Sequence, residues 1–203
     1  MCVVWVLAID DRGASSVSGS GEQRAAHQLV GREVELAALQ RALHAATNGQ
    51  AQLVVVEGHA GMIRRAAELI DQAERPIIIS GHGVIWAEAS KELLELSEKA
   101  NIPVITTFLG IGGFPESHDL SYGWLGMHGM FYANMAADKA DVVIAIGMRF
   151  DDRAMGRFKD FNPTAKIVHI DIDPAEIGKN FPTAVPIVGS AKNVLPRLSD
   201  LVK

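Results

Sequence analysis

From residue 63 onward, short apolar runs alternate with longer stretches whose apolar positions recur every three or four residues. Ile63 to Glu74 sets Ala66, Ala67, Leu69, Ile70 and Ala73 on one side of a predicted helix, which Arg75-Pro76 ends. Ile77 to Ser80 reads as a short buried strand. Gly81-His82-Gly83 follows, then a long helix to about Ala100 with Leu93, Leu94 and Leu96 opposite its charges. Asn101-Ile102-Pro103 resets the chain for a strand over PVITT, and Phe108 to Met127 reads as a long loop. Gly126 to Gly129 opens a helix carrying Ala133, Ala136, Ala137 and Ala140 on one face, a strip that lets a helix lie close to a sheet. DVVIAIG, KIVHIDID and VPIVG are further strands, the first a continuous apolar run of the kind buried on both faces in a parallel sheet. Asp173-Pro174-Ala175-Glu176 predicts a helix start with Asp173 as N-cap, and Ser190 to Lys203 a last helix. Strand and helix alternate throughout, which predicts an α/β fold with a parallel sheet of five or six strands flanked by helices, the sixth supplied by a run around Val54.

The first sixty residues have a different texture. Asp10 to Gly21 is Gly- and Ser-rich, so residues 1–28 are expected to form a flexible tail. VGREVELAALQRALHAAT predicts an amphipathic helix, and QLVVVE a buried strand that runs into Gly58-His59-Ala60-Gly61-Met62. A phosphate loop needs G-x-x-x-x-G-K-[ST], because the glycines let backbone N–H groups face phosphate, the Lys reaches outward and the hydroxyl holds magnesium. Counting from Gly58, those last three positions are Ile63, Arg64 and Arg65, so the residues argue against nucleotide hydrolysis.

Composition narrows the function classes. The 203 residues are 48% hydrophobic and 21% charged, as in a soluble globular chain. A net charge of -5 without a basic run disfavours nucleic acid. The one cysteine excludes an internal disulfide and a cysteine-based metal site. No run reaches the roughly 18 apolar residues of a membrane span. Met1 to Ile9 is too short and lacks the basic start of a secretion signal, so a cytoplasmic protein is expected.

Candidate chemistry lies where strands end, since ligands of open parallel sheets sit beyond the carboxyl ends. Gly81 and Gly83 fall in a strand-to-helix turn, but Trp86 stands where a G-x-G-x-x-G fingerprint needs its third glycine. Past Gly147 come Arg149, Asp151, Asp152 and Arg153. An arginine there suits a pyrophosphate through paired hydrogen bonds, and a solvated ion-pair cluster is the plainer alternative. Adjacent Asp151 and Asp152 point apart and make a poor acid–base pair. His128 has no second ligand at metal spacing. Asp171 alternates with Ile170 and Ile172, and an acid at a strand end commonly takes a ribose hydroxyl.

GMHG, Tyr132-Ala133-Asn134, RFDDR and HIDIDPAEIGKN together resemble the central domain of acetolactate synthase (acetohydroxyacid synthase), a thiamine-diphosphate enzyme whose central domain carries FAD. The resemblance covers residues 63–203. Residues 29–62 resemble instead the opening of a P-loop ATPase of the regulatory type, truncated near Met62, with 1–28 as tail. The acetolactate synthase resemblance implies a non-redox FAD held across the strand ends by Gly81, Gly83, Thr107, Leu109, Met127, His128, Gly147, Arg149, Asp151, Arg153, Asp171, Ile172, Gly189 and Ser190. Ser190 departs from the family's usual Gly-Asp. Thiamine diphosphate and magnesium belong to the full-length family enzyme, which also needs an N-terminal glutamate and a Gly-Asp-Gly motif that this sequence lacks. No catalytic and no metal-binding residue is therefore assigned here. The implied partners are other acetolactate synthase domains or subunits, in branched-chain amino-acid biosynthesis, and a chain inactive alone. A P-loop regulator and a ligand-free structural or interaction piece are the competing readings.

Overall fold

The computed structural model describes residues 8–9, 15–16, 59–156 and 161–203. The chain divides into two compact units, 1–61 and 62–203. In the first, the described residues are two short antiparallel strands, Ala8–Ile9 and Ser15–Ser16, and the first three residues of a helix, His59–Asp71, that continues into the second. The expectations for the helix after Leu29, the strand near Val54 and the loop from Gly58 fall outside the described residues.

The second unit is built on six parallel strands. β1 is Pro76–Ser80, β2 Val104–Thr106, β3 Ser121–Trp124, β4 Val142–Ile146, β5 Lys166–Asp171 and β6 Val185–Val188. Their spatial order is β3-β2-β1-β4-β5-β6. The chain winds outward from β1 to one edge, then returns to the middle and winds to the other, as in doubly wound nucleotide-binding sheets. β1 and β4 run side by side in register from Pro76–Val142 to Ser80–Ile146.

Helices cover both faces. α1 is His59–Asp71, α2 His82–Trp86, α3 Ser90–Ala100, α4 Phe131–Lys139, α5 Asp152–Met155 and α6 Ala191–Leu201. Alternation along each strand sorts the core. Ile78, Ile144, Ile146, Val168 and Ile187 pack with Ile63 and Ile70 of α1, Leu93 and Leu96 of α3, and Leu195 and Leu198 of α6. Ile77, Ile79, Ile105, Val143 and Ala145 pack on the opposite face with Ala133 and Ala137 of α4. The alanine strip thus buries as the sequence implies, and Asn162 secures its end by donating to Ala137 O at 2.8 Å and Ala140 O at 2.7 Å.

The structure corrects several element assignments. The sixth strand is β3, inside the stretch read as a loop; Gly123 at φ +69 and only four half-buried residues hide its period. The long helix is two, α2 and α3, parted at Glu88 with φ +53. α4 starts at Phe131, not at Gly126–Gly129, which form a turn. Asp173 does accept the Ala175 N–H at 2.9 Å, but turns rather than a helix follow. Gly178, at φ +74, lies in that turn segment.

Candidate functional site

Every residue predicted for the site lies at the carboxyl end of the sheet or in the loops just past it. They form two groups. A cleft of about 530 Å³ opens over the ends of β1, β2, β3 and β4 and gathers eight of them: Thr107, Leu109, Met127, His128, Gly147, Arg149, Asp151 and Arg153. Its size suits a small-molecule site. A second hollow, about 600 Å³, lies at the amino ends of the strands beside Arg75, Lys139 and Asp141. There Asp141 already accepts the N–H groups of Glu74 and Arg75, and Arg75 Nε donates to Lys139 O, so that hollow reads as a structural joint.

The cleft's floor follows from close backbone packing. Gly81 N donates to Ile146 O at 2.8 Å and Gly83 N to Gly147 O at 3.1 Å. A Cβ on Gly81 would lie 2.1 Å from Gly147 O. Gly81 and Gly83 are thus glycines because the turn after β1 presses on Gly147, and they sit beneath the cleft rather than in its lining. Thr107 N donates to Ser80 O at 2.9 Å, which ties the end of β2 to β1. His82 Nδ1 lies 2.6 Å from Leu109 O. A carbonyl only accepts, so Nδ1 carries the proton, leaving Nε2 as an acceptor in the neutral ring. The His82 ring also meets Trp86 edge-on at 4.9 Å.

The opposite wall is the turn before α4. Asn134 grips it: Gly126 N donates to Asn134 Oδ1 at 2.9 Å, and Asn134 Nδ2 donates to Gly126 O at 3.1 Å. Gly126 has φ +116, and a Cβ there would meet Arg153 O at 2.7 Å. The turn carries Met127 and His128 outward. Phe108, Leu109 and Met127 stand 71%, 65% and 76% exposed on the cleft's rim.

The third wall runs from β4 into α5. Arg149 projects into solvent, 3.8 Å from Asp151. Asp151 is the N-cap of α5, its Oδ1 accepting the Ala154 N–H at 3.0 Å. Beneath them His169 is buried, its Nε2 2.9 Å from Met148 O and its ring edge-on to Phe150 at 5.1 Å. Burial pushes the imidazole below its ordinary range, against the pull of Met148 O, Asp171 and Glu176, so His169 is neutral.

The second group sits past β5 and β6. Asp171 is buried and spends Oδ1 on the Asp173 N–H at 2.9 Å. Ile172 beyond it is exposed. Gly189 N donates to Asp171 O at 2.8 Å, and Ser190 caps α6 through its carbonyl. Asp171, Ile172, Gly189 and Ser190 share the carboxyl edge with the cleft but do not line it. Not assigned to the site from the sequence are the lining residues His82, Trp124, Leu125, Gly126, Met148, Phe150 and Ala154, and Phe108 only as part of the strand end Thr107–Leu109. For His82 and Phe108 the signal was available, since both follow strand ends.

Among the described residues no cluster of three or more His, Cys, Asp or Glu could hold a metal. No described helix is long and apolar enough to cross a membrane.

Comparison with known proteins fits this geometry. The family model for the thiamine pyrophosphate enzyme central domain matches residues 63–198. The chain is 57% identical over 138 residues to the probable acetolactate synthase large subunit of Methanocaldococcus jannaschii, covering 68% of this chain and 23% of that protein. It is 46% identical over 144 residues to the acetolactate synthase large subunit of Buchnera aphidicola, covering 71% and 25%. It thus spans about a quarter of these relatives. Among solved structures, a candidate thiamin diphosphate-dependent enzyme from Mycobacterium smegmatis superposes with a TM-score of 0.60 at 26% identity, covering 76% of this chain and 30% of that one. The family match lies within the second unit, and none of these comparisons supports a P-loop segment in the first.

Proposed function

The chain belongs to the thiamine pyrophosphate enzyme family through its central domain, and on that premise we propose that residues 62–203 are the FAD-binding middle domain of an acetolactate synthase large subunit. The observation that carries this reading is the cleft at the switch between β1 and β4, with apolar walls and two arginines at one side. Dinucleotides bind at such switch points, where strand ends and helix starts leave a crevice. Apolar Leu109, Leu125, Met127 and Phe108 suit the flat ring system, and Arg149 and Arg153 suit the pyrophosphate. The cleft seats only part of so long a cofactor. The remainder would run toward the second group, where Asp171 and Gly189 lie at the ends of β5 and β6. The exposed rim of Phe108, Leu109 and Met127 suits cover by a neighbouring domain of a longer polypeptide.

Thiamine diphosphate fits less well. The sequence has no Gly-Asp-Gly motif. When bound in a whole enzyme it would supply the carbanion chemistry that joins two 2-oxo acids. These 203 residues would position a nucleotide and leave that chemistry elsewhere, so no acetolactate is expected from pyruvate with this chain as the sole protein.

The test is a flavin-fluorescence or calorimetric titration with FAD. Binding on the order of micromolar or weaker is expected, since among the described residues Phe108, Leu109 and Met127 leave the rim exposed. Arg149→Ala should lose about 1.5–3 kcal/mol, more than tenfold in affinity. No saturable binding by the wild-type chain would favour the reading of a structural piece that holds no ligand.

A further inference from the structure

Three consecutive backbone carbonyls in the β4–α5 loop are each met by a side-chain nitrogen from one later segment. His169 Nε2 lies 2.9 Å from Met148 O. Asn180 Nδ2 donates to Arg149 O at 3.1 Å and to Phe150 O at 2.9 Å. Between them Phe150 holds φ +50, a left-handed conformation unfavourable for a bulky residue and kept only where its surroundings over-determine it. Those surroundings are visible. The Phe150 ring is buried between His169 at 5.1 Å and Phe181 at 5.2 Å, and Phe181 packs on Phe161 at 5.4 Å. The backbone is therefore pinned on one side, while on the other the exposed Arg149 makes only a long ion pair with Asp151 at 3.8 Å.

We propose that Asn180 and His169 are positioning residues: they fix the Met148–Phe150 backbone so that Arg149 is presented over the cleft, held only by the long contact with Asp151. The proposal rests on the reading of the cleft as the cofactor site. It also gives His169 and Asn180, the two ends of the HIDIDPAEIGKN stretch, one shared task in a loop 21 to 31 residues earlier. A guanidinium held this way loses less freedom when an anion arrives, which is the physical gain from a pinned backbone.

The experiment uses the full 203-residue chain. FAD titrations are run on wild type, Asn180→Ala, Asn180→Asp, Arg149→Ala and the Asn180→Ala/Arg149→Ala double variant, with amide exchange followed over residues 147–155. Asn180→Asp keeps the shape but offers only acceptors to two carbonyls, so it should behave as Asn180→Ala does. Each should weaken FAD by about tenfold in the wild-type background and by less than about twofold when Arg149 is absent, because the effect travels through that arginine. Exchange at 148–152 should rise by about tenfold or more while β1 and β4 amides keep their protection. The same fold-loss in both backgrounds, or unchanged exchange at 148–152, overturns the proposal. If the wild-type chain binds no FAD, the reading of the cleft fails, and the exchange result still decides whether these contacts hold the loop.

Discussion

Gly83 and Gly147 meet backbone to backbone where β1 and β4 end. A Cβ on Gly147 would lie 2.6 Å from Gly83 Cα, and Gly147 itself has φ +57. Gly147→Ala therefore meets two penalties, a steric one and a conformational one, that together should cost about 3 kcal/mol or more. Gly112→Ala is the matched comparison: φ is +89 but nothing lies within 4 Å. It should cost only about 1–2 kcal/mol. Urea unfolding of the two variants measures the difference, and equal costs would mean that the contact with Gly83 is slack.

The layered sheet was legible because buried parallel strands leave continuous apolar runs, as in Val142–Ile146, and α4 leaves its alanine strip. β3 was not, since an edge strand with Gly123 in it has neither a run nor an alternation to read. The positions of Arg149 and Arg153 followed from a strand end alone. What each loop residue does was less accessible. Asp151 turned out to cap α5, and Asp171 to hold its own turn, because short acidic side chains satisfy nearby N–H groups first. The tasks of His169 and Asn180 gave no local signal, because their partners are carbonyls 21 to 31 residues away.

His169 should make the domain acid-sensitive in a defined window. Burial lowers its pKa in the folded state from 6.5, while Asp171 and Glu176 oppose that only in part. The unfolded chain then binds a proton that the native one resists. Its contribution is complete above about 6.5 and is lost as pH falls below that toward the native value, at no more than about 1.4 kcal/mol per pH unit. Urea midpoints of wild type and His169→Phe between pH 7.5 and 5 measure this. Parallel slopes for the two proteins would refute a neutral, buried imidazole.

Asp141 offers a test at the other end of the sheet. Burial alone would raise its carboxyl, but the N–H groups of Glu74 and Arg75 outweigh that and hold it below 3.8. Its contribution is present above that value and fades as pH falls through the lowered one. Asp141→Ala should destabilise by about 1–2 kcal/mol, the low side for two hydrogen bonds, because water reaches the site. FAD affinity should not move, since the cleft lies at the far ends of the strands. Loss of FAD affinity with intact stability would contradict that separation.

Asp151 separates two ideas about the arginine beside it. Its Oδ1 accepts the Ala154 N–H, and its Oδ2 faces Arg149 at 3.8 Å. If the carboxylate touched ligand hydroxyls, removing its charge would weaken FAD. The geometry favours the opposite: a carboxylate committed to a helix cap that also competes with pyrophosphate for the guanidinium. Asn caps a helix about as well as Asp. Asp151→Asn should therefore leave stability within about 0.5 kcal/mol while strengthening FAD binding by about two- to fivefold, a gain that shrinks at high salt. Asp151→Ala loses the cap as well and should cost about 1 kcal/mol of stability. Titrations at low and high ionic strength, paired with thermal melts, read both effects. Weaker binding by Asp151→Asn at unchanged stability would return the carboxylate to the ligand's own contacts.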